Sequence, residues 1–406
     1  MTEPALKGLR VTDFSWVYAG PLCTRYLASL GAEVIKIESQ RRPDQFRVTA
    51  MARDESGKPS LNKAPGFNLL SYSKKSVSLD LSKPEGIVLA KRLIEISDLV
   101  VENYGPGVME KMGLSYEEVR KIKPDIIMVS SSGLGRTGPQ SHYVAYGQAL
   151  QANSGLTYIT GYPGGPPRGV SAPYSDPLTG TTEVLGILAA LYHRRMTGEG
   201  QYLDLSMTEA TMTNIPEATL DYLWNGRSQE GVGNDDPMMA PHNVYPCLGD
   251  DRWVAVAVSN EAEWQGLRKA LGEPAWTKDE WFADQVLRWE HRAEMDKHIG
   301  EWTKDKDRYD VMRILQEQGV PAGPVFDAQD TMEDPHLNAR GLFIELNHPE
   351  VGPKRYIGVP WHLSPDSSII YEPPPLLGQD SEYVLKDLLK LTDSEYEQLV
   401  AEEVIY

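Results

Sequence analysis

Apolar positions in the first 130 residues alternate between two spacings, one typical of buried strands and the other of amphipathic helices. Short runs rich in Val and Ile predict strands at 9–14, 33–38, 76–81, 98–103 and 125–130. Between them, the spacing predicts helices at 21–31, 84–96 and 115–123. Strands that alternate with helices form βαβ units and a parallel sheet. The first half of the chain is therefore predicted to be α/β.

Residues 132–176 are rich in Gly and Pro, as in TGYPGGPPRG, and predict long loops rather than regular elements. A strongly apolar helix follows, opened by Pro177 and closed near Gly198. A strand at 201–207 and a helix reaching about residue 224 complete this region.

From about residue 225 the pattern changes again. HNVYPC and RWVAVAV predict an antiparallel hairpin, and charged amphipathic helices are predicted after it, at 260–271, 288–303 and 306–318. GLFIEL, RYIGVP and final helices at 380–403 predict a return to the first domain. We therefore predict the first part of a large domain at 1–224, a small domain at 225–325 and a return to the large domain at 326–406.

Composition narrows the class of protein. The 406 residues are 41% hydrophobic and 24% charged, which is ordinary for a globular chain with a proper core. The chain contains no run of about 18 apolar residues, so no membrane span is predicted. The start MTEPALKGLRV lacks the pattern of a signal peptide. The two cysteines, Cys23 and Cys247, argue against a disulfide framework or a structural zinc site. These features predict a cytoplasmic protein.

Charge and missing motifs exclude several functions. The net charge of −18 opposes nonspecific binding to nucleic acid and to anionic membranes, so neither is expected as a partner. The eight histidines lack metal-ligand spacing, and no metal site is predicted. The chain has no GxGxxG after its first strand, no GxxxxGK[ST], no HExxH and no GxSxG.

Asp176 is the most informative single residue, because it ends the Gly/Pro-rich segment and directly precedes Pro177 and the apolar helix. The structural interpretation is a helix N-cap followed by proline at the first helical position. The functional interpretation is a nucleophilic carboxylate that the positive end of the helix keeps ionised. The two interpretations are compatible.

Several loops follow predicted strands at the edge where open α/β sheets bind ligands. They are SWVYAGPLCT (15–24), ESQRRPD (38–44), SKKS (73–76) and ENYGPGVMEKMG (102–113). Each also has a structural interpretation, such as a close strand–helix turn or a solvated charge pair. At this edge, Arg41 and Arg42 could also receive phosphate groups.

Taken together, these segments resemble the class III CoA-transferases, which include formyl-CoA and carnitine CoA-transferases. The resemblance runs nearly end to end, through GLRVTDFSWVYAGPLCTRYLASLGAEVIKIE, KKSVSLDL, VVENYGPGVMEKMG, SSSGLGRTGP, the block from Asp176 to RRMTGEGQYLDLSMTEA, GVPAGPV, DPHLNARG and PPPLLGQ. It implies a large open parallel-sheet domain, Rossmann-like and built from both chain ends, with a smaller α+β domain inserted. It also implies an interlocked dimer, formed with an identical or a homologous subunit.

The resemblance implies that Asp176 attacks an acyl-CoA and carries first the acyl group and then CoA. Coenzyme A is then part of the substrate, and no permanently bound cofactor is expected. The positions that match the family's CoA contacts are Val17, Tyr18, Ala19, Leu79, Asn103, Tyr104 and Lys111. Because Ser39 stands where a phosphate-binding arginine often lies, Arg41 or Lys74 is expected to replace it.

The same resemblance leaves the substrates open. The SWVYAGP segment and the overall residue pattern are similar to those of the succinyl-CoA:benzylsuccinate branch. This similarity suggests transfer from succinyl-CoA to an aryl- or alkylsuccinate. One alternative is an α-methylacyl-CoA racemase-like enzyme, but the racemase histidine position reads Ala145-Tyr146-Gly147. A tyrosine with a pKa of about 10 is a poor base at neutral pH. The other alternative is a non-catalytic partner subunit of a heteromeric transferase.

Overall fold

In a computed structural model, which describes residues 3–48, 57, 59–364 and 368–406, the predicted strands form where the apolar runs lie. In chain order the strands are β1 Arg10–Asp13, β2 Glu33–Glu38, β3 Lys75–Ser78, β4 Leu99–Glu102, β5 Ile127–Ser132, β6 Tyr202–Ser206, β7 His242–Pro246, β8 Trp253–Ala257, β9 Ala322–Pro324, β10 Phe343–His348 and β11 Gly352–Ile357.

The helices occupy most of the intervening segments. In chain order they are α1 Ala19–Ser29, α2 Gln45–Val48, α3 Pro65–Ser71, α4 Pro84–Glu95, α5 Val108–Lys111, α6 Tyr116–Ile122, α7 Gly147–Asn153, α8 Leu156–Ile159, α9 Ser175–Thr197, α10 Met207–Met212, α11 Pro216–Asn225, α12 Glu261–Ala270, α13 Gln285–Glu290, α14 Arg292–Thr303, α15 Arg308–Gln316, α16 Ala328–Glu333, α17 Pro335–Ala339 and α18 Asp393–Ala401. Short 3₁₀ turns lie at Ala275–Lys278 and Glu280–Phe282, and a π-type turn at Tyr383–Leu388. None of the helices within the described ranges is both long and apolar enough to span a bilayer.

The first six strands form one sheet in the order β3-β2-β1-β4-β5-β6, and every neighbouring pair is parallel. In the centre, Val11 of β1 pairs with Val34 on one side and Leu99 on the other. The α/β prediction is therefore confirmed. The strand order reverses between β1 and β4, and open α/β sheets bind ligands at the carboxyl ends of the strands at such a point. The loops after Asp13 and Glu102 begin at this position.

Both faces of the sheet are buried by apolar side chains, as a parallel sheet requires. On one face, Ile35 and Val100 join a cluster that includes Leu93 of α4 and Leu385 near the end of the chain. On the other face, Val11 and Val34 join a cluster with residues of α1 and α9. These layers place α1 and α9 side by side over one face.

The chain divides into two compact units: residues 1–157, 169–227 and 338–406 form the first, and 158–168 with 228–337 form the second. In the second unit, β7, β8 and β9 form an antiparallel sheet packed on helices around Trp264, and the predicted hairpin is confirmed as β7 and β8. Because a compact unit is not by itself an independently folding domain, the domain limits near 225 and 325 stay predictions.

The Gly/Pro-rich segment 132–176 is not all loop, and this part of the prediction was wrong. Helix α7 forms there because Leu150 is fully buried and packs near Ala19 and Met207, outweighing the flanking turn residues. The single helix predicted up to residue 224 is divided into α10 and α11, because Pro216 begins a new helix.

Candidate active site

Asp176 lies in the first turn of α9, which begins one residue earlier at Ser175 and takes Tyr174 as its N-cap. The backbone N–H of Asp176 donates to the carbonyl of Pro173 at 3.0 Å. The N-cap role predicted for Asp176 is therefore wrong: the chain turns into helical geometry at Tyr174, two residues before the aspartate. Its carboxylate is left free of the capping bond that a cap residue would make.

Burial raises the pKa of Asp176 to about 6, and a hydrogen bond from its own backbone N–H opposes that rise. The expectation that the helix terminus would hold this carboxyl fully ionised underestimated desolvation. At pH 7 the ionised form still predominates. A carboxylate that is more basic and less hydrated than usual is a better nucleophile than one on the surface.

Gly147, the first residue of α7, makes room for this carboxylate. A Cβ placed on Gly147 would overlap Oδ2 of Asp176 and would lie 2.9 Å from Cβ of Pro173. Gln151 secures the arrangement, because its side-chain amide donates to the carbonyl of Ala172 at 2.9 Å. Helix α7 and the start of α9 thus form a cradle, in which the Asp176 carboxylate occupies the space that a side chain at position 147 would need.

Helices α1 and α9 also pack closely where they cross. A Cβ on Gly180 of α9 would come within 2.6 Å of the carbonyl oxygen of Ala19, so only glycine fits. Immediately before α1, burial raises the pKa of Tyr18, and the negative charge of Asp176 adds to this rise. The crossing therefore brings Tyr18, a predicted CoA contact, into electrostatic range of Asp176.

The β1–α1 loop is held by the neighbouring β4 loop. The backbone N–H of Trp16 donates to Oδ1 of Asn103 at 2.7 Å, and the Asn103 amide donates back to the carbonyl of Trp16 at 2.8 Å. Val17 adopts φ of 67°, an unusual value for a β-branched residue, and its N–H donates to Asp44. Backbone strain of this kind is often found at functional sites. The predicted contacts Val17, Tyr18, Ala19 and Asn103 thus come together at the point where the strand order reverses.

Tyr104 packs edge-on against Trp16, with ring centroids 5.5 Å apart. The guanidinium of Arg42 lies over the Trp16 ring, 5.6 Å from its centroid. Arg136 donates to the carbonyl of Tyr104 at 3.0 Å and forms an ion pair with Glu102. Sequence reasoning did not include Arg136 or Gly147 among the site residues, although both lie in or near motifs that carried the resemblance.

The remaining predicted contacts are more dispersed. Arg41 is half exposed and forms ion pairs with Asp80, at 3.2 Å, and with Glu403. Lys111 is exposed at the end of α5. Leu79 is buried in the apolar cluster, so its side chain faces the core and only its backbone could meet a ligand. Of these three, Arg41 and Lys111 present a cation to solvent.

Lys74 does not fit the phosphate contact predicted for it. Its side chain is fully buried, and Nζ lies 3.3 Å from Oδ2 of Asp13 and donates to the carbonyl of Pro21 at 2.9 Å. Burial lowers the pKa of Lys74 to about 8, against the opposing effect of Asp13. The lysine therefore neutralises an interior carboxylate beneath the loop rather than reaching toward a ligand.

Within the part of the chain that the structure describes, no group of three or more His, Cys, Asp and Glu side chains is arranged to hold a metal ion.

Both the matching family model and the curated relatives are CoA-transferases. Residues 6–381 match the family model described as CoA-transferase family III. The succinyl-CoA–D-citramalate CoA-transferase of Chloroflexus aurantiacus is 34% identical over 98% of both chains. The succinate–glutarate CoA-transferase of Agrobacterium fabrum is 32% identical over 95% of this chain and 96% of that protein. A crystal structure of a CAIB/BAIF family protein from Brucella suis superimposes with a TM-score of 0.86 at 30% identity, covering 95% of this chain and 100% of that one.

Proposed function

This chain belongs to CoA-transferase family III, and on that premise we propose that it moves CoA between two carboxylic acids with Asp176 as the nucleophile. The observation that carries the assignment is the half-buried Asp176 carboxylate, with a pKa of about 6, in the space left by Gly147. It is a basic, poorly hydrated carboxylate beside the Tyr18 loop, as covalent catalysis requires.

The proposed reaction proceeds by four attacks and needs no net proton. A carboxylate oxygen of Asp176 attacks the thioester carbonyl of the donor, the C–S bond breaks, and a mixed anhydride and CoA thiolate form. The thiolate attacks the aspartyl carbonyl, the anhydride C–O bond breaks, and the donor acid leaves. The acceptor carboxylate attacks the resulting aspartyl-CoA thioester and releases the thiolate. The thiolate finally attacks the acceptor carbonyl, which forms the new thioester and regenerates Asp176.

Coenzyme A is proposed to enter at the carboxyl ends of β1 and β4, where the strand order reverses. The Val17–Ala19 loop and the Asn103–Tyr104 loop support this placement, because they are joined by the reciprocal Trp16–Asn103 hydrogen bonds. We assign the phosphate groups to Arg41, Arg42 and Lys111, all exposed at or near this edge of the sheet. Guanidinium and ammonium groups are the usual partners of phosphate in proteins.

We propose succinyl-CoA as the donor and an alkyl- or arylsuccinate as the acceptor. Two relatives carry names that include succinyl-CoA or succinate, and their other acids, citramalate and glutarate, are dicarboxylic. Exposed aromatic residues beside the nucleophile, Tyr146 before Gly147 and Tyr174 before α9, offer apolar surface to a substituted acceptor. A panel of dicarboxylic acids assayed with succinyl-CoA would identify the acceptor.

The functional enzyme is proposed to be a dimer, formed with an identical or a homologous chain. Helix α9, which carries Asp176, exposes Leu185, Leu188, Tyr192 and Met196 at spacings that place them on one side. A continuous apolar stripe of this length is unusual on a monomer and is typical of an interface. The interlocked form of the dimer is an expectation from the family resemblance.

Trapping tests the nucleophile directly. The protein would be incubated with succinyl-CoA and no acceptor acid, treated with hydroxylamine, digested, and analysed by mass spectrometry. Hydroxylamine converts an activated aspartyl group to its hydroxamate, and we expect this modification on the peptide that contains Asp176. The exposed acid Glu199, just beyond α9, is the internal control. Trapping at another carboxylate, or full exchange activity in a folded Asp176→Ala variant, would contradict the assignment.

A further inference from the structure

A second acid lies inside the helix that carries the nucleophile. Glu183 follows Asp176 by about two turns of α9 and is completely buried. Neither of its carboxylate oxygens has a hydrogen-bond partner of normal geometry among the described residues, although the Ser131 hydroxyl and the Cys23 thiol lie close enough to lower its pKa. A buried carboxylate without a partner is among the most costly groups that a protein can hold, unless it is protonated.

The surroundings of Glu183 offer polar groups but also further negative charge. The thiol of Cys23 on α1 and the hydroxyl of Ser131 on β5 lie beside it. The carboxylates of Asp13 on β1 and Glu102 on β4 act on it across the interior.

The cations nearest to these two carboxylates are already engaged. Lys74 lies beside Asp13, and Arg136 beside Glu102. Burial raises the pKa of Glu183 to about 7; Ser131 and Cys23 oppose this rise, and the two carboxylates contribute to it. At or below neutral pH the protonated form is therefore well populated.

Glu183 also lies where α9 packs against α1. Gly180, three residues earlier on α9, contacts the carbonyl of Ala19 on α1, and Glu183 meets Cys23 one turn further along both helices. The loop with Tyr18 leads directly into α1, and Asp176 lies in the first turn of α9. Any change in the spacing of the two helices at Glu183 is thus transmitted to the relation between Tyr18 and Asp176.

We propose that Glu183 is a positioning residue, which acts as a neutral carboxylic acid within the α1–α9 crossing and so holds the Tyr18 loop in register with the Asp176 nucleophile. Ionisation would place an uncompensated charge between Cys23 and Ser131, facing Asp13 and Glu102. Water would then have to enter between α1 and α9, or the two helices would have to move apart. The turnover of folded enzyme would fall as pH rises through neutrality, while its affinity for acyl-CoA would change less.

This inference rests on the proposed function, because its test measures the rate of CoA transfer. The pH dependence of kcat and of KM for succinyl-CoA would be measured for the wild type and for Glu183→Gln, which is neutral at every pH and nearly isosteric. We expect kcat of the wild type to fall about fivefold between pH 6.5 and 8, and kcat of the Gln variant to fall less than about twofold. Glu199→Gln, which changes an exposed acid just beyond α9, should retain the wild-type profile.

A purely structural role would change the thermal midpoint of the Gln variant without changing the pH profile of its kcat, and that outcome would overturn the proposal. If Glu183→Gln folds poorly, Glu183→Leu also removes the titratable group and should also abolish the alkaline fall. Hydrogen–deuterium exchange provides a readout independent of activity: exchange in α1 should increase with pH, beyond the intrinsic rate, in the wild type and not in the neutral variants. A wild type with no transferase activity would instead reject the proposed function, and unchanged exchange would reject the role of Glu183.

Discussion

Gly147 and Asp176 are complementary in shape: the carboxylate of Asp176 fills the position that a side chain on Gly147 would occupy. The two residues are far apart in sequence and belong to different helices, α7 and α9. The contact determines where the carboxylate sits and leaves it half buried. It therefore contributes to both its position and its raised pKa.

Replacing Gly147 with Ala should expel the carboxylate from its cradle. Because the backbone of Gly147 does not have a positive φ, alanine is compatible with it, and the damage should be confined to the side-chain contact. A misplacement of about 1 Å at a reacting group costs on the order of 100-fold in rate, and we expect a loss of that size in kcat. Gly323→Ala is the matched control and should remain fully active, because apart from the chain neighbours no described atom lies within 4 Å of its Cβ position. Equal activity in both variants would contradict the role of the cradle.

Asp176 should also destabilise the fold at neutral pH. Its pKa rises from 3.8 in the unfolded chain to about 6 in the folded state, so the folded state binds more protons between these values. The contribution of Asp176 to stability is therefore greatest below about pH 4 and falls as pH rises to about 6. Asp176→Asn removes this loss and should gain about 3 kcal/mol in free energy of unfolding at pH 7, but almost nothing at pH 3.5.

Urea unfolding at the two pH values measures this gain. The comparison variant is Asp125→Asn, because a hydrogen bond from Lys123 lowers the pKa of Asp125 and its contribution has the opposite sign. Asp125→Asn should lose stability at pH 7 and lose less at pH 3.5. If Asp176→Asn were destabilised at pH 7, the carboxyl could not be in the desolvated state described.

Substitutions at Lys74 and Arg41 should distinguish a cation that stabilises the fold from a cation that binds CoA. Lys74→Met leaves Asp13 buried without its nearest cation and should cost about 3 kcal/mol in free energy of unfolding. Arg41→Ala removes only half-exposed ion pairs, and its thermal midpoint should hardly change. Affinity for CoA, measured by calorimetry, should fall about five- to tenfold in Arg41→Ala. The reverse pattern, a stable Lys74→Met with weak CoA binding, would return the phosphate role to Lys74.

The apolar stripe on α9 should be the site of subunit contact. Leu185→Glu places a charge at the first residue of this stripe, where Leu185 is 70% exposed in the single chain. We expect sedimentation velocity to show a dimer for the wild type and a monomer for this variant, with unchanged far-ultraviolet circular dichroism. Val88→Glu on α4, at a side chain that is 56% exposed, is the control for an added surface charge and should stay dimeric. A dimeric Leu185→Glu would place the interface elsewhere.

Much of the first unit was determined by local sequence. The buried strands from β1 to β5 and helices such as α4 follow from apolar periodicity, because side chains on a parallel sheet and on an amphipathic helix repeat with different spacings. The order of motifs also identified the family, and the family led to Asp176. These inferences need only neighbouring residues or their sequence along the chain.

Only the tertiary structure decided which distant residues meet. Lys74 reads as a surface cation in SKKS, yet it lies beneath Asp13, because the strand that follows it brings it into the interior. Gly147 and Glu183 gave no usable signal, since the value of an absent side chain or a buried acid depends on what another element places against it. The pKa of Asp176 was misjudged for the same reason. The helix terminus is visible in the sequence, whereas the water that burial removes depends on the packing of α1, α7 and α9 together.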